Sequence, residues 1–292
     1  MNILVFGTDN QLGESYSRLL SQESRDHLAI RTDDPLVLDL PALKTLLKEK
    51  QITQILNLSL NPGLFQSEQA ISKERQQLLQ QACSNLLALA KSWKLALIHH
   101  SSAAVFDGTN PKPYLESETA QANNPLGKLA LSLEKKIVKH KQHVILRSEG
   151  IFSPANPVFF LSCINFCKQQ AGKLTLLDQR CSPTSADDVA RVLLAINKQL
   201  DCDAQTWGIF HYCALQATHR HTFVEKFLGE AAKYDEALKS SLEHLDISTQ
   251  QSTKTQLENS VLDCHKIMSS FGIKQRSREA ALKELIASLY RS

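Results

Sequence analysis

With 292 residues, a net charge of +3 and Lys and Arg mixed among Asp and Glu throughout, the chain is long enough to bury a large core in one big domain or two closely joined ones. It has no basic tail or stripe of the kind that meets nucleic acid, and no apolar run nears the roughly 18–20 residues that span a bilayer. Seven scattered cysteines without a CxxC pair argue against a zinc site and for a reducing compartment, so a cytoplasmic protein without metal is expected.

"MNILVFG" has no charged leader and no small-residue cleavage site, and reads as a buried strand rather than a signal peptide. "QLGESYSRLLSQE" then has helical spacing, "HLAI" is a second strand, "LPALKTLLKEK" an amphipathic helix and "ITQILNLS" a third strand. The long helical stretch "SKERQQLLQQACSNLLALAKSW" leads to the strand "LALIHHSS", a further helix and the strand "HVILRSEGIF". Strands alternating with helices of a dozen or so residues indicate βαβ units, a parallel sheet and a doubly wound α/β Rossmann fold.

Beyond Asn156 the rhythm changes. The helix "VFFLSCINFCKQQAG" carries Cys163 and Cys167 on one face, where they read as core residues. After the strand "KLTLL" and a turn at Pro183, Ser185 is placed to cap a helix with Asp187 and Asp188 in its first turn. The strand "GIFHYCA" follows, then the helix "THRHTFVEKFLGEAAKY". A polar segment at 248–258 reads as a loop, and "REAALKELIASLY" is the closing helix. The expected division is residues 1–150 as a Rossmann domain and 151–292 as a smaller substrate-binding domain, with interleaved segments.

In "GTDNQLG", Gly7 and Gly13 stand six apart between a strand and a helix, the context of a dinucleotide fingerprint. The helix-start amides of Gln11, Leu12 and Gly13 would face a pyrophosphate. Asn10 occupies the middle glycine position; it tolerates positive φ, but its side chain would crowd the phosphate. A plain β–α turn with no ligand is the other reading. Arg31 ends the second strand, with Asp33 and Asp34 after it, and an arginine there favours the 2′-phosphate of NADP over NAD.

The glycine loop, "ILNLS" with Asn57, "LIHHSSAAVFDGT", "VILRSEGIF", "LLDQRCSPTSADDVA", "GIFHYCA" and "ENSVLDCHKIMSSFGI" occur in one order and spacing. Together they resemble the dTDP-4-dehydrorhamnose reductase family, extended short-chain dehydrogenases with an RmlD-type substrate-binding domain. The regulatory β subunit of methionine adenosyltransferase is similar to the same family, so the fold is not tied to one job. The resemblance implies NADP as cofactor, Asn57 among its contacts, and a nucleotide sugar held by Asp178, Gln179, Pro183 and Thr184. It implies Ser102 as the hydroxyl that orients the carbonyl, beside matching Ser101 and Phe106. A homodimer or a protein partner is also compatible with it.

Members of that family use a Tyr to protonate the carbonyl oxygen and a Lys one helical turn on to lower the Tyr pKa. No tyrosine lies between Tyr114 and Tyr212 here. Ala103 and Ala104 replace the family's Asp and Tyr near Ser102. Aligning "GKLALSLEKKIV" leaves a three-residue gap at the Tyr and places Ala130 at the Lys; without a gap the pair falls on Leu129 and Leu133. Gly127 and Leu131 are then expected to be the nearest one-turn pair. Gln256 and Leu257 stand where the family has Arg-Pro facing the phosphates. The expectation is a binding protein with a degenerate, weakly active or inactive reductase site. An active reductase or epimerase, with its proton from Ser102 and water or from His100, is the rival, and a regulatory or interaction scaffold the third reading.

Among the remaining candidates, His99 and His100 read mainly as structural. Arg147 is divided between an ion pair and a ligand contact. Ser101 has no base to make it a nucleophile. His219 and His221, two apart at a helix start, have poor spacing for one metal on a helix face.

Overall fold

Four apolar stretches bury themselves completely or nearly so: β1 (Ile3–Phe6), β3 (Gln54–Asn57), β4 (Ala96–Ser102) and β5 (His143–Ser148). Parallel strands covered on both faces need such continuous apolar runs. With β2 (His27–Ile30) at one edge they form a parallel sheet whose other edge is supplied by a strand from much later in the chain, Gly208–Tyr212. The computed structural model describes residues 2–60, 63–65, 70–169, 172–251 and 257–291.

The crossovers are α1 (Gln11–Gln22), α2 (Leu40–Glu49), α3 (Lys73–Trp93) and α4 (Pro125–Ile137). Beyond the sheet follow β6 (Ile151–Phe152), α5 (Val158–Gln169), β7 (Lys173–Leu177), β8 (Arg180–Cys181), β9 (Thr184–Ser185) and α6 (Ala186–Asp201). The edge strand is β10 (Gly208–Tyr212), so the sheet order is β10-β5-β4-β3-β1-β2, a doubly wound α/β architecture. The chain finishes with β11 (Thr218–His219), α7 (Arg220–Ala231), α8 (Glu236–Leu242), β12 (Asp246–Gln250), α9 (His265–Phe271) and α10 (Glu279–Leu289).

Two cores result. The larger surrounds the sheet and draws in α6, β10 and residues around α9; the smaller joins α5, β7, α7, α8 and α10. α6 is keyed to the sheet by buried polar contacts: Tyr16 donates to Asn197 at 2.8 Å, and Asn197 and Gln54 exchange hydrogen bonds at 2.6 and 3.0 Å. Ser185 caps α6 by accepting from the Asp188 amide, and Cys163 and Cys167 lie in the smaller core, both as the sequence indicated.

The polar segment at 248–258 departs in part from its reading as a loop, which holds for 251, 257 and 258. Residues 248–250 belong to β12, which pairs in parallel with β7 along Asp246–Gln250 and Lys173–Leu177. An edge strand in a two-stranded sheet leaves most of its side chains in water, so serines and threonines suit it, and Ile247 alone packs inward. Residues 252–256 of that segment, including Gln256, lie outside the described residues.

Candidate functional site

The carboxyl ends of β1, β3, β4 and β5 converge at the switch in strand order between β1 and β3, where ligands of doubly wound sheets bind. Gly7 turns there with φ +94°, and a Cβ on it would lie 2.6 Å from the Ser59 amide nitrogen. A Cβ on Gly13 would come within 2.0 Å of the Gly7 carbonyl oxygen. Both glycines are therefore required by chain packing, whatever binds.

Asn10 does not behave as its spacing suggested. Its backbone is extended, φ −118° and ψ 165°, and needs no left-handed tolerance. Its side chain is the cap of α1: Oδ1 accepts from the Leu12 and Gly13 amides at 3.1 and 3.0 Å. Nδ2 donates to the carbonyls of Gly7 and Leu58, both at 2.9 Å. Two of the amides that would hold a phosphate oxygen are thus satisfied by the protein itself. Gln11 is buried and donates from Nε2 to Ile151 O at 3.1 Å, tying the loop to the second half of the chain. Asn57 is also engaged locally, with Oδ1 accepting from the Ser59 amide and hydroxyl. Arg31 is exposed and forks onto Asp33 at 3.0 and 3.2 Å.

Ser102 ends β4, caps the short 3-10 turn Ala103–Val105 by accepting from the Ala104 amide, and borders a cavity of about 30 Å³. That is room for roughly one water. Its other walls include Ala104, Leu126, Glu149, Gln179 and Ser260. Leu126 is in the first turn of α4 and faces the cavity; Ala130, one turn on, is fully buried. The expected one-turn pair Gly127 and Leu131 is therefore corrected. Gly127 is where α4 presses on the 3-10 turn, and a Cβ there would sit 1.8 Å from the Ala104 carbonyl oxygen. No break in the helix stands between Leu126 and Ala130.

Of the residues expected to hold a sugar, Gln179 alone borders this cavity, donating to Ser260 Oγ at 3.2 Å. Asp178 lines a separate hollow beside His219, at a tight turn closed by the Gln179 amide donating to Leu177 O at 3.0 Å. Pro183 packs beside Gly150, and Thr184 is buried between Ser182 O and the Ala214 amide.

Glu149 is a wall residue the sequence reading overlooked. Its carboxylate accepts from the Ser182 amide at 2.5 Å and from Ser260 Oγ at 3.0 Å, and no Lys or Arg pairs with it among the described residues. Burial pushes its pKa from 4.5 up to about 7. A glutamate directly after a strand end, "RSEG", was the one available signal.

His100 is engaged at both ring nitrogens. It is buried, bridging Leu60 O at 3.0 Å and Ser148 Oγ at 2.7 Å, and burial pulls its pKa down to about 3. His99 is buried likewise and pulled down to about 4. Arg147 forms the structural ion pair: its guanidinium meets Glu134 at 2.6 and 3.0 Å, both side chains nearly inaccessible, with Ser101 donating to the same carboxylate.

Residues 1–291 match the RmlD substrate binding domain family. The chain belongs to that family. It is 22% identical over 307 residues to the dTDP-4-dehydrorhamnose reductase of Shigella flexneri, covering 99% of this chain and 98% of that one. The fold matches the crystal structure of a dTDP-4-dehydrorhamnose reductase ortholog from Clostridium acetobutylicum with TM-score 0.80 and 22% identity over the whole of both chains. It also matches the Bacillus anthracis dTDP-4-dehydrorhamnose reductase in complex with NADP, TM-score 0.76 and 16% identity over 98% and 97% of the two chains. Among the described residues no helix is long and apolar enough to cross a membrane.

Proposed function

We propose that this RmlD-family protein acts by binding, holding NADP or a nucleotide sugar weakly in its cleft, with reductase turnover lost or reduced to a trace. The observation that carries this reading is the face of α4 toward Ser102. Leu126 and Ala130 have the one-turn spacing that a proton-donating Tyr and its Lys need, yet neither side chain can give up a proton or carry charge. Losing a general acid costs about 10²–10⁴ in rate. Lys128, the nearest lysine on α4, is exposed.

The phosphate loop supports the same reading. NADP, which the Bacillus anthracis relative holds, fits here only if the Asn10 carboxamide gives up the Leu12 and Gly13 amides. As the loop stands, it is closed on itself. The experiment is a titration of the purified protein with NADPH and NADH by nicotinamide fluorescence, paired with a turnover assay on dTDP-4-dehydrorhamnose. Weak binding without turnover is expected. Turnover at the 1–10³ s⁻¹ typical of enzymes refutes the reading, and no binding of NADPH, NADH or a dTDP-sugar leaves only an interaction scaffold.

One observation favours an active reductase instead. Glu149 borders the same cavity as Ser102 and holds its proton up to about pH 7. If it replaces the tyrosine, turnover is measurable and Glu149→Gln abolishes it while leaving NADPH affinity unchanged.

A further inference from the structure

We infer that Asp178, His219 and His221 form a binding site for one divalent transition-metal ion of the zinc or nickel class. Each offers a ligand atom, and the three atoms lie within 4.8 Å of one another. Two imidazole nitrogens and one carboxylate oxygen are the donor set such borderline ions prefer.

The spacing that looked unsuitable on a helix is resolved by where the helix begins. His219 is not helical: it is the residue before α7, in β11, with φ −90° and ψ 147°. His221 lies just inside the helix, and Arg220 between them turns its guanidinium over the Phe65 ring at 4.3 Å. The two imidazoles thereby come side by side, ring centroids 5.5 Å apart. Asp178 arrives from the end of β7 and meets His219 Nδ1 at 2.9 Å. It is available because Gln179, not Asp178, borders the cleft.

His221 Nδ1 is closed to solvent and has no hydrogen-bond partner among the described residues, so part of this ring's polar edge is left to be satisfied. Bonds of about 2.0–2.2 Å to one ion require the three side chains to draw in slightly. His219 and Asp178 are half exposed, at 51% and 48%, and can turn without moving the backbone. Glu258 and Arg180 border the same hollow, and Arg180 Nη1 is held by Pro111 O at 2.7 Å. A bound ion would pin the end of β7 to the start of α7, next to the Gln179 wall of the cleft.

The test uses the full chain, stripped with chelator, with Cys202→Ser to remove the exposed thiol. Zinc is titrated by calorimetry and cobalt by visible absorption. One ion per chain is expected, and His219→Ala and His221→Ala each weaken it at least roughly tenfold. His265→Ala, at a surface histidine paired with Asp263, leaves binding unchanged, and unaltered metal-free melting of each variant shows that it is folded. Absence of binding, binding that survives both histidine substitutions, or a thiolate-to-cobalt charge-transfer band overturns the assignment. In the first case the cluster is an ordinary His219–Asp178 surface pair.

Discussion

Replacing Asn10 with Gly separates what the phosphate loop does for the fold from what it does for a ligand. Among the described residues the Asn10 side chain makes four hydrogen bonds, accepting from the Leu12 and Gly13 amides and donating to the Gly7 and Leu58 carbonyls, all between 2.9 and 3.1 Å. Gly costs only a few tenths of a kcal/mol at a helix cap, but the two donations to carbonyls are lost as well. At about 0.5–1.5 kcal/mol for each net hydrogen bond in a partly solvated site, the variant should lose about 1–3 kcal/mol. For a chain of this size each kcal/mol lowers Tm by roughly 2–4 °C. The freed amides can then donate to a phosphate, where hydrogen bonds to a charged group contribute about 1.5–3 kcal/mol. A tightening of NADPH binding by tenfold or more, about 1.4 kcal/mol, is expected alongside the lower Tm. Thermal melts and NADPH fluorescence titrations of the two proteins measure both effects. Asn10→Asp supplies the control: it keeps the cap acceptor, sets a negative charge against the phosphate, and should bind more weakly. If Asn10→Gly melts with the parent and binds no tighter, the self-capped loop is not what limits nucleotide binding.

Gly127→Tyr with Leu131→Lys should yield unstable, inactive protein, because any side chain at Gly127 meets the Ala104 carbonyl oxygen at 1.8 Å; soluble protein with a native melt refutes the close approach. Leu126→Tyr with Ala130→Lys is the pair that restores the spacing of an acid and its lysine. It overpacks the cavity, at about 1–3 kcal/mol, and sets an ammonium at the fully buried Ala130, which adds a further penalty for the buried charge. A lowered Tm is expected, and NADPH oxidation should rise above the parent only when Asn10→Gly is also present. Glu149 binds its proton to higher pH in the native protein than in the unfolded chain, so its contribution is full below about pH 4.5 and is lost as pH rises through about 7. Urea unfolding across that range should show stability falling, and Glu149→Gln should flatten the profile; an unchanged slope would place the carboxyl in water. Arg147→Met leaves Glu134 buried without its cation, which should destabilise by about 3–5 kcal/mol, read as a lower urea midpoint. A shift below 1 kcal/mol would mean that the pair is hydrated.

The sequence by itself determined the layered architecture, because parallel strands buried on both faces must be apolar runs and the helices between them must show one apolar stripe. β1 as "ILVF" and α1 from "QLGESYSRLLSQ" are legible for that reason. So was the absence of any tyrosine between Tyr114 and Tyr212, which no folding can change. The Ser185 cap was legible too, because a cap and the amide it serves are neighbours in sequence. What only the tertiary structure decided depends on groups far apart along the chain. Asn10 becomes a plug because Leu58, 48 residues away, brings a carbonyl to its amide. Burial among segments distant in sequence raises the Glu149 pKa to about 7, even though Ser260, 111 residues on, donates a hydrogen bond that opposes the rise. Arg147 is committed to Glu134 because β5 passes behind α4. Asp178, His219 and His221 come together because α7 starts one residue after His219, leaving an extended step at the first of the two imidazoles. Local spacing fixes which side chains can face together; only the meeting of distant backbone decides which water, carbonyl or charge each one finally faces.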